Sequence, residues 1–297
     1  MQIGYIGLGK MGKGMVLHLL EKGHNVVAWN RSPQPRQEVV AAGASVTNTV
    51  AELVTAIKTP RVIWLMLPAK DVINSMIKEL IPLLQKGDLI IDGGNSHYKD
   101  TVKNAQLITA AGIRFMDVGV SGGPAGARNG ACLMIGGEEK DYQELQTLFS
   151  DIAAPNAQAF FSGHGAGHFV KMVHNGIEYG MMQAMGEGFS VLKLSPYKFD
   201  LQQVAQIYNN KSVIESRLVG WLESGYQKHG IELTDVSGSV AQSGEGLWTA
   251  EAAKELNVET PIIKESVEFR TDSQAKPSYT GKVLNVLRNE FGGHKVD

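Results

Sequence analysis

The chain has 297 residues, enough for about two domains, and 43% of them are hydrophobic, enough for real cores. A net charge of −2 leaves no basic footprint for nucleic acid. A single cysteine, Cys132, excludes an internal disulfide framework and fits a reducing compartment.

No stretch approaches the roughly 20 consecutive apolar residues of a membrane span. The N-terminus, MQIGYIGLG, reads as a strand and not as a signal peptide. A soluble cytoplasmic protein is expected. Residues 2–6 form a short strand. Gly7-Leu8-Gly9-Lys10-Met11-Gly12 follows, a GxGxxG that opens a helix running to about Lys22, and Gly23 ends it. The next strand is Asn25 to Trp29. Strand, glycine loop, helix and strand in this order form the context in which the motif binds a dinucleotide. The first glycine makes the tight turn, the second admits the pyrophosphate, and the third lets helix pack on strand. The helix N-terminus offers free N–H groups to the phosphates. A glycine-rich turn without ligand is the plainer alternative.

The end of the second strand selects the cofactor. Here it reads Trp29-Asn30-Arg31-Ser32, with no acidic residue for a ribose hydroxyl. Arg31, with Asn30 and Ser32, offers a cation and polar groups to a 2′-phosphate. NADP is favoured and NAD stays open, as does a plain surface role for Arg31.

Alternation continues. Residues 35–42, 49–57, Asp71 to Leu84 and Lys99 to Ala111 read as helices. Val62 to Leu67, Leu89 to Asp92 and Ile113 to Val118 read as strands. This pattern predicts an α/β Rossmann-type doubly wound sheet, with ligands beyond the carboxyl ends of its strands. Two polar, glycine-rich loops lie at such ends, Asp92-Gly93-Gly94-Asn95-Ser96 and the run Gly119 to Ala127. Ser121, Gly122 and Gly123 offer a hydroxyl and backbone N–H groups to an anion. Either loop alone also fits a tight turn. Further strands are expected at 131–136 and 158–161, with a helix at 141–150. Cys132 reads as a small core residue.

Residues 165–194 read as one long helix, the spine of an all-helical second domain. The predicted domains are therefore 1–164, dinucleotide-binding, and 165–297, for substrate and dimerisation. Stepping about 100° per residue, Lys171, His174, Asn175 and Glu178 fall within roughly 100° of one another. Phe169, Val170, Met172 and Val173 flank them. The same stripe also fits a partly exposed face with an internal Lys–Glu pair. Helices are expected at 198–209, 211–228, 248–255 and 259–271. The methionines of the long helix read as packing, and a helix this long in a small domain suggests a partner.

Together, GLGKMG, DGGNS at 92–96, GVSGGPAGA at 119–127 and KMVHNGIEYG at 171–180 resemble 6-phosphogluconate dehydrogenase, a family of the β-hydroxyacid dehydrogenase superfamily. The match runs through the whole chain, which resembles the short bacterial form. The resemblance implies oxidative decarboxylation of 6-phosphogluconate to ribulose 5-phosphate and CO2 with NADP or NAD, in the pentose phosphate pathway. It implies cofactor contacts from Gly7, Leu8, Gly9, Lys10, Met11, Gly12, Asn30, Arg31, Ser32, Leu67 and Asn95. Asn95, Ser121, Gly122, Gly123, His174, Asn175, Glu178, Tyr179, Arg270, Arg288 and His294 are implied to hold substrate. Lys171 is the implied base, Glu178 the implied acid, and Asn175 and His174 orient substrate; no metal is required. The tail bearing Arg288 and His294 is implied to reach a neighbouring subunit, hence a homo-oligomer, dimer or tetramer.

For these roles the Lys171 amine must be neutral, against a free pKa of about 10.4, and Glu178 must hold a proton, against about 4.3. One departure stands out. The long form of the family carries a lysine and a threonine toward the phosphate where this chain has Ser243 and Glu245. A glutamate beside a phosphate is repulsive unless it turns away or pairs with a cation. The competing readings are a non-decarboxylating β-hydroxyacid dehydrogenase or semialdehyde reductase, which has no use for Glu178, Arg270, Arg288 and His294, and a non-catalytic nucleotide sensor, which needs only the GxGxxG.

Overall fold

The computed structural model describes residues 1–242 and 244–296. The chain forms two compact units, one of Met1–Lys171 and one from Met172 onward.

The first unit holds an eight-stranded sheet: β1 (Gln2–Ile6), β2 (Asn25–Trp29), β3 (Ser45–Val46), β4 (Val62–Leu65), β5 (Leu89–Asp92), β6 (Arg114–Ser121), β7 (Ala131–Gly137) and β8 (Ala153–Ser162). Their order is β3-β2-β1-β4-β5-β6-β7-β8. Every pair is parallel except β6–β7, which is antiparallel. Helices α1 (Lys10–Glu21), α2 (Pro33–Ala41), α3 (Val50–Ala56), α4 (Asp71–Leu80), α5 (Tyr98–Ala110), α6 (Gly123–Asn129), α7 (Glu139–Glu144) and α8 (Gln146–Ile152) connect the strands. β4 and β5 are buried along their whole length, as strands covered on both faces must be. Two apolar cores result. One gathers Ile3, Tyr5, Trp64 and Phe149, and the other Ile6, Leu53, Ile63 and Phe115.

The doubly wound sheet is as expected, with differences of detail. β4 stops at Leu65, so Leu67 lies in the loop beyond it. β3 and α6 are additional short elements, and the single helix expected at 141–150 is two, α7 and α8, broken at Leu145. Cys132 is exposed, not a core residue. It lies between Ala131 and Leu133, where the β7–β8 register shifts, and its side chain points to the opposite face from both.

α9 (Ala166–Leu194) is the long helix. Its first turn is fixed by β6. The fully buried Asp117 carboxylate accepts the backbone N–H groups of Gly165 and His168, at 2.7 and 2.8 Å. A carboxylate at this end satisfies orphan donors and suits the positive pole of the helix. The His168 ring then meets the Thr101 hydroxyl at 2.8 Å. Backbones approach closely here. A β-carbon on Gly167 would lie 2.4 Å from the Met134 carbonyl oxygen, and one on Gly136 would lie 2.5 Å from the Gly167 nitrogen.

The second unit is all helical: the rest of α9, α10 (Leu201–Tyr208), α11 (Arg217–His229), α12 (Glu245–Glu255), α13 (Pro261–Asp272) and α14 (Tyr279–Gly292). α14 was not expected from the sequence. Ser278 caps its start by accepting from the Gly281 N–H, and Gly293 ends it in the left-handed region. Val283, Leu284, Val286 and Leu287 of α14 join Met182, Phe189, Leu222 and Tyr226 in the unit's core. Among the described residues no helix is long and apolar enough to cross a membrane.

Asp117→Ala leaves two buried N–H groups unpaired, so a loss of about 2–5 kcal/mol is expected. Urea unfolding of the variant measures it; an unchanged midpoint would remove the carboxylate from this role.

Candidate active site

The glycine turn has the shape its motif demands. Gly7 adopts φ +102°, and a β-carbon there would lie 2.3 Å from the Met66 carbonyl oxygen. One on Gly12 would lie 2.0 Å from the Gly7 carbonyl oxygen, so α1 touches the turn backbone to backbone. Gly9 differs: it is exposed, stands at the N-cap of α1, and has nothing within 4 Å of a β-carbon position. The open strip over Gly9 therefore fits a ligand that must come close to the main chain, beside the free N–H groups of a 12-residue helix. Lys10 is exposed and Met11 half-buried behind it.

Asn30 has both ends of its amide engaged. Its Oδ1 accepts the Leu8 N–H at 2.9 Å, and its Nδ2 donates to the Ser32 carbonyl at 3.0 Å. The residue braces the glycine turn against the end of β2. Sequence reasoning gave Asn30 only a ligand role and missed this brace. Arg31 and Ser32 remain exposed beyond it.

The 92–96 loop is set by its acid. The buried Asp92 carboxylate accepts the Gly94 N–H at 2.9 Å and the Ser96 hydroxyl at 2.8 Å. Gly93 abuts the Trp64 indole, where a β-carbon would lie 2.3 Å away, and Gly94 abuts the Leu67 carbonyl at 2.7 Å. Leu67 also borders Gly7, its Cδ2 being 2.9 Å from that β-carbon position. Leu67 thus links the glycine turn to the loop that exposes Asn95.

Lys171 stands on the same edge. A β-carbon on Gly119 would lie 2.3 Å from the Lys171 Cβ, so α9 rests on β6 where that strand has no side chain. Two residues further along β6 comes Ser121. Gly122 and Gly123 follow with φ +122° and +61°, a backbone shape that favours glycine. The half-buried Lys171 is therefore held beside the loop that offers Ser121, Gly122 and Gly123.

One turn on, the second unit begins. His174 Nδ1 lies 3.0 Å from Asn175 Oδ1 and 3.8 Å from Glu178 Oε2. The three polar side chains expected on one face of the helix do interact. α12 crosses α9 at Gly176, where a β-carbon would lie 2.6 Å from the Thr249 methyl carbon. The Thr249 hydroxyl donates to the Met172 carbonyl at 2.8 Å. Thr249 was legible only as part of a Trp-Thr pair, and its bond to α9 carried no signal in the sequence.

Four further residues cluster in this unit. Tyr179, Glu245, Arg270 and Arg288 are all at least nine-tenths buried. The Arg270 guanidinium lies 3.4 Å from the centre of the Tyr179 ring. Burial draws its pKa down to about 10, against the pull of Tyr179, Glu178 and Glu245. Arg288 is also lowered by burial, and Tyr179 and Glu245 oppose that shift. Arg288 lies on α14 and donates to Asn285 Oδ1 at 3.3 Å, in its own chain's cluster. His294 packs back against Phe291. Ser243 lies outside the described residues.

A doubly wound sheet with this glycine turn, joined to a helical unit through a lysine-bearing helix, defines a nicotinamide-dinucleotide-dependent oxidoreductase. Residues 2–165 match the model of the NAD binding domain of 6-phosphogluconate dehydrogenase, and residues 167–290 that of its C-terminal domain. The chain belongs to the 6-phosphogluconate dehydrogenase family. A Bacillus subtilis protein provisionally named as such a dehydrogenase is 42% identical over 100% of this chain and 99% of its own length. An NAD(+)-dependent, decarboxylating 6-phosphogluconate dehydrogenase of Haloferax volcanii is 41% identical over 100% of this chain and 98% of its own. Among solved structures, Plasmodium falciparum 6-phosphogluconate dehydrogenase, also determined with NADP+ and with 6-phosphogluconate, superposes with a TM-score of 0.83. It is 27% identical, over 97% of this chain and 70% of that one.

The two glycines separate folding from binding. Gly12→Ala should lower the melting temperature and abolish dinucleotide binding, because its β-carbon has no room. Gly9→Ala should fold normally yet bind NADPH about tenfold more weakly, about 1.4 kcal/mol. Fluorescence titration beside a thermal melt checks both; wild-type affinity in Gly9→Ala would place the pyrophosphate elsewhere.

Proposed function

We propose that this chain oxidises 6-phosphogluconate at its 3-hydroxyl and releases CO2, giving ribulose 5-phosphate, with NADP as the favoured oxidant and NAD as the alternative. The observation that carries this reading is the placement of Lys171 on Gly119, beside the Ser121-Gly122-Gly123 loop, on a helix that also bears His174, Asn175 and Glu178. Relatives so named, similar over their full length, support it.

The open strip at Gly9 fits the dinucleotide, which supplies the hydride acceptor when bound. Gly7 to Gly12, Leu67 and Asn95 would hold it, with Arg31 and Ser32 toward the 2′-phosphate. Ser121, Gly122 and Gly123 would hold the substrate carboxylate. Lys171, as the neutral amine, takes the 3-hydroxyl proton while hydride leaves C3. The product is a β-keto acid. The ammonium so formed gives its proton to the keto oxygen as the C1–C2 bond breaks. CO2 departs, and the bonding electrons form the C2–C3 double bond of the enediol. Glu178 gives a proton to C2 while Lys171 takes back the C3 hydroxyl proton, and the keto sugar results. His174 and Asn175 orient the hydroxyl and carboxylate. Asn95 and Tyr179 contact the sugar, and Arg270, Arg288 and His294 receive its phosphate.

We further propose a homo-oligomer. Ile177, Met181, Val191 and Leu194 stand exposed along α9, and large apolar side chains in such a row suit a subunit contact. The resemblance sends the tail bearing Arg288 and His294 to a neighbouring subunit; Arg288 is buried in its own chain's cluster, and the role in the neighbour is proposed for His294 alone.

Two experiments test this. Purified protein with 6-phosphogluconate and either dinucleotide should form reduced nicotinamide and CO2 in equal amounts, and Lys171→Met should abolish turnover while still binding NADPH. Reduced cofactor without CO2 would favour the non-decarboxylating reading. For the assembly, inactive Lys171→Met and inactive His294→Ala proteins are unfolded together and refolded as a mixture. Exchanged tails would rebuild sound sites and restore part of the activity; a mixture as inactive as its components would show that each tail serves its own chain.

A further inference from the structure

The mechanism above leaves one buried acid without a task. Glu245 opens α12 and is 6% exposed. The charged and titratable groups that act with it come from three helices: Tyr179 and Glu178 of α9, Arg270 of α13 and Arg288 of α14. The Tyr179 hydroxyl donates to Glu245 Oε2 at 3.4 Å.

Arg270 is held in an unusual way. It is 2% exposed, its Nε has no hydrogen-bond partner among the described residues, and an Nη2 contact of 3.8 Å reaches only the Met182 sulfur. A buried guanidinium normally finds a carboxylate or carbonyl. Here its main anchor is the face of the Tyr179 ring, at 3.4 Å. The direction of its N–H groups therefore follows the ring. On another side the ring is stopped by main chain, since a β-carbon on Gly246 would lie 2.5 Å from Tyr179 Cδ2. Guanidinium and glycine meet the ring on two sides. The carboxylate next to Gly246 meets its hydroxyl end.

We infer that Glu245 is a positioning residue, which through the Tyr179 hydroxyl sets the ring on which Arg270 presents its guanidinium to the substrate phosphate. The inference rests on the proposed reading of Arg270 as a phosphate ligand. It also accounts for an acid in a phosphate subsite: the carboxylate is engaged by the tyrosine and offset by two arginines.

The test compares Glu245→Ala, Glu245→Gln and Tyr179→Phe, and the double variant Glu245→Ala/Tyr179→Phe. Glu245→Ala should raise the KM for 6-phosphogluconate about three- to tenfold, the worth of one long hydrogen bond. kcat should change less than about twofold, and the KM for the dinucleotide should not move. Glu245→Gln keeps an acceptor and should return KM close to wild type. The double variant should be no worse than Tyr179→Phe alone, because both changes cut one link. A wild-type or lowered KM in Glu245→Ala overturns the inference, and so does a glutamine variant as poor as the alanine one.

A second readout is independent of the sugar. Inorganic phosphate should raise the melting temperature of the wild type and of Glu245→Gln, and raise that of Glu245→Ala distinctly less. Equal rises in all three, or none in any, overturn the inference. A wild type that shows these phosphate responses yet fails to oxidise 6-phosphogluconate would count against the proposed reaction and for the positioning role.

Discussion

Asp117 has no contact with solvent, and its carboxylate receives two N–H groups from the head of α9. Whatever the long helix carries takes its starting point from that pair of bonds. Isolated, such a buried charge would be expensive; bonded to a helix end it is matched by oriented dipoles. From there the helix advances along β6. Gly167 lies by Asp117, and Lys171 lies by Gly119. Four helical residues cover about 6 Å and two strand residues about 6.6 Å, so the two run in step. The lysine is delivered to the carboxyl edge of the sheet by geometry alone. The reversal at β7 makes this route available. β7 and β8 run against β1–β6, so the chain leaves β8 at the amino edge and α9 can travel back toward the loops.

The helical unit solves a different problem. It buries two guanidinium groups, and burial, not pairing with a carboxylate, is the largest influence on each. Full neutralisation within the protein would stabilise the unliganded chain and leave nothing for an anion to gain. A cation held on an aromatic face is oriented without being neutralised. The cluster thus keeps a charge in reserve, and the groups that orient it can differ from those that attract the ligand.

Much of this was legible in the residues. The glycine motif between a strand and a helix fixed the first turn, and the three glycine roles appear as a positive φ, an open strip and a backbone contact. The long helix was legible because its apolar period runs for 29 residues without proline. Direction was not legible: an apolar run such as ACLMIG reads alike whichever way it lies, so the β7 reversal had no sequence mark. α14 escaped notice because its buried face includes Asn285 and Arg288, polar types that conceal a helical period. Cys132 was misjudged because an apolar run such as ACLMIG does not tell which of its positions a neighbouring element covers. The partner of Glu245 depends on three helices meeting, and spacing along the chain is blind to that.

The two compact units divide between Lys171 and Met172, in mid-helix, with no linker between them. Most two-domain chains can gain or lose a residue at their joint, because a loop absorbs it. Here one inserted residue between Lys171 and Glu178 would turn one side chain about 100° away from the other and move it 1.5 Å. Recombination of this sheet with a foreign helical unit must therefore splice a helix in register. A single residue gained or lost there would break the alignment of the polar stripe.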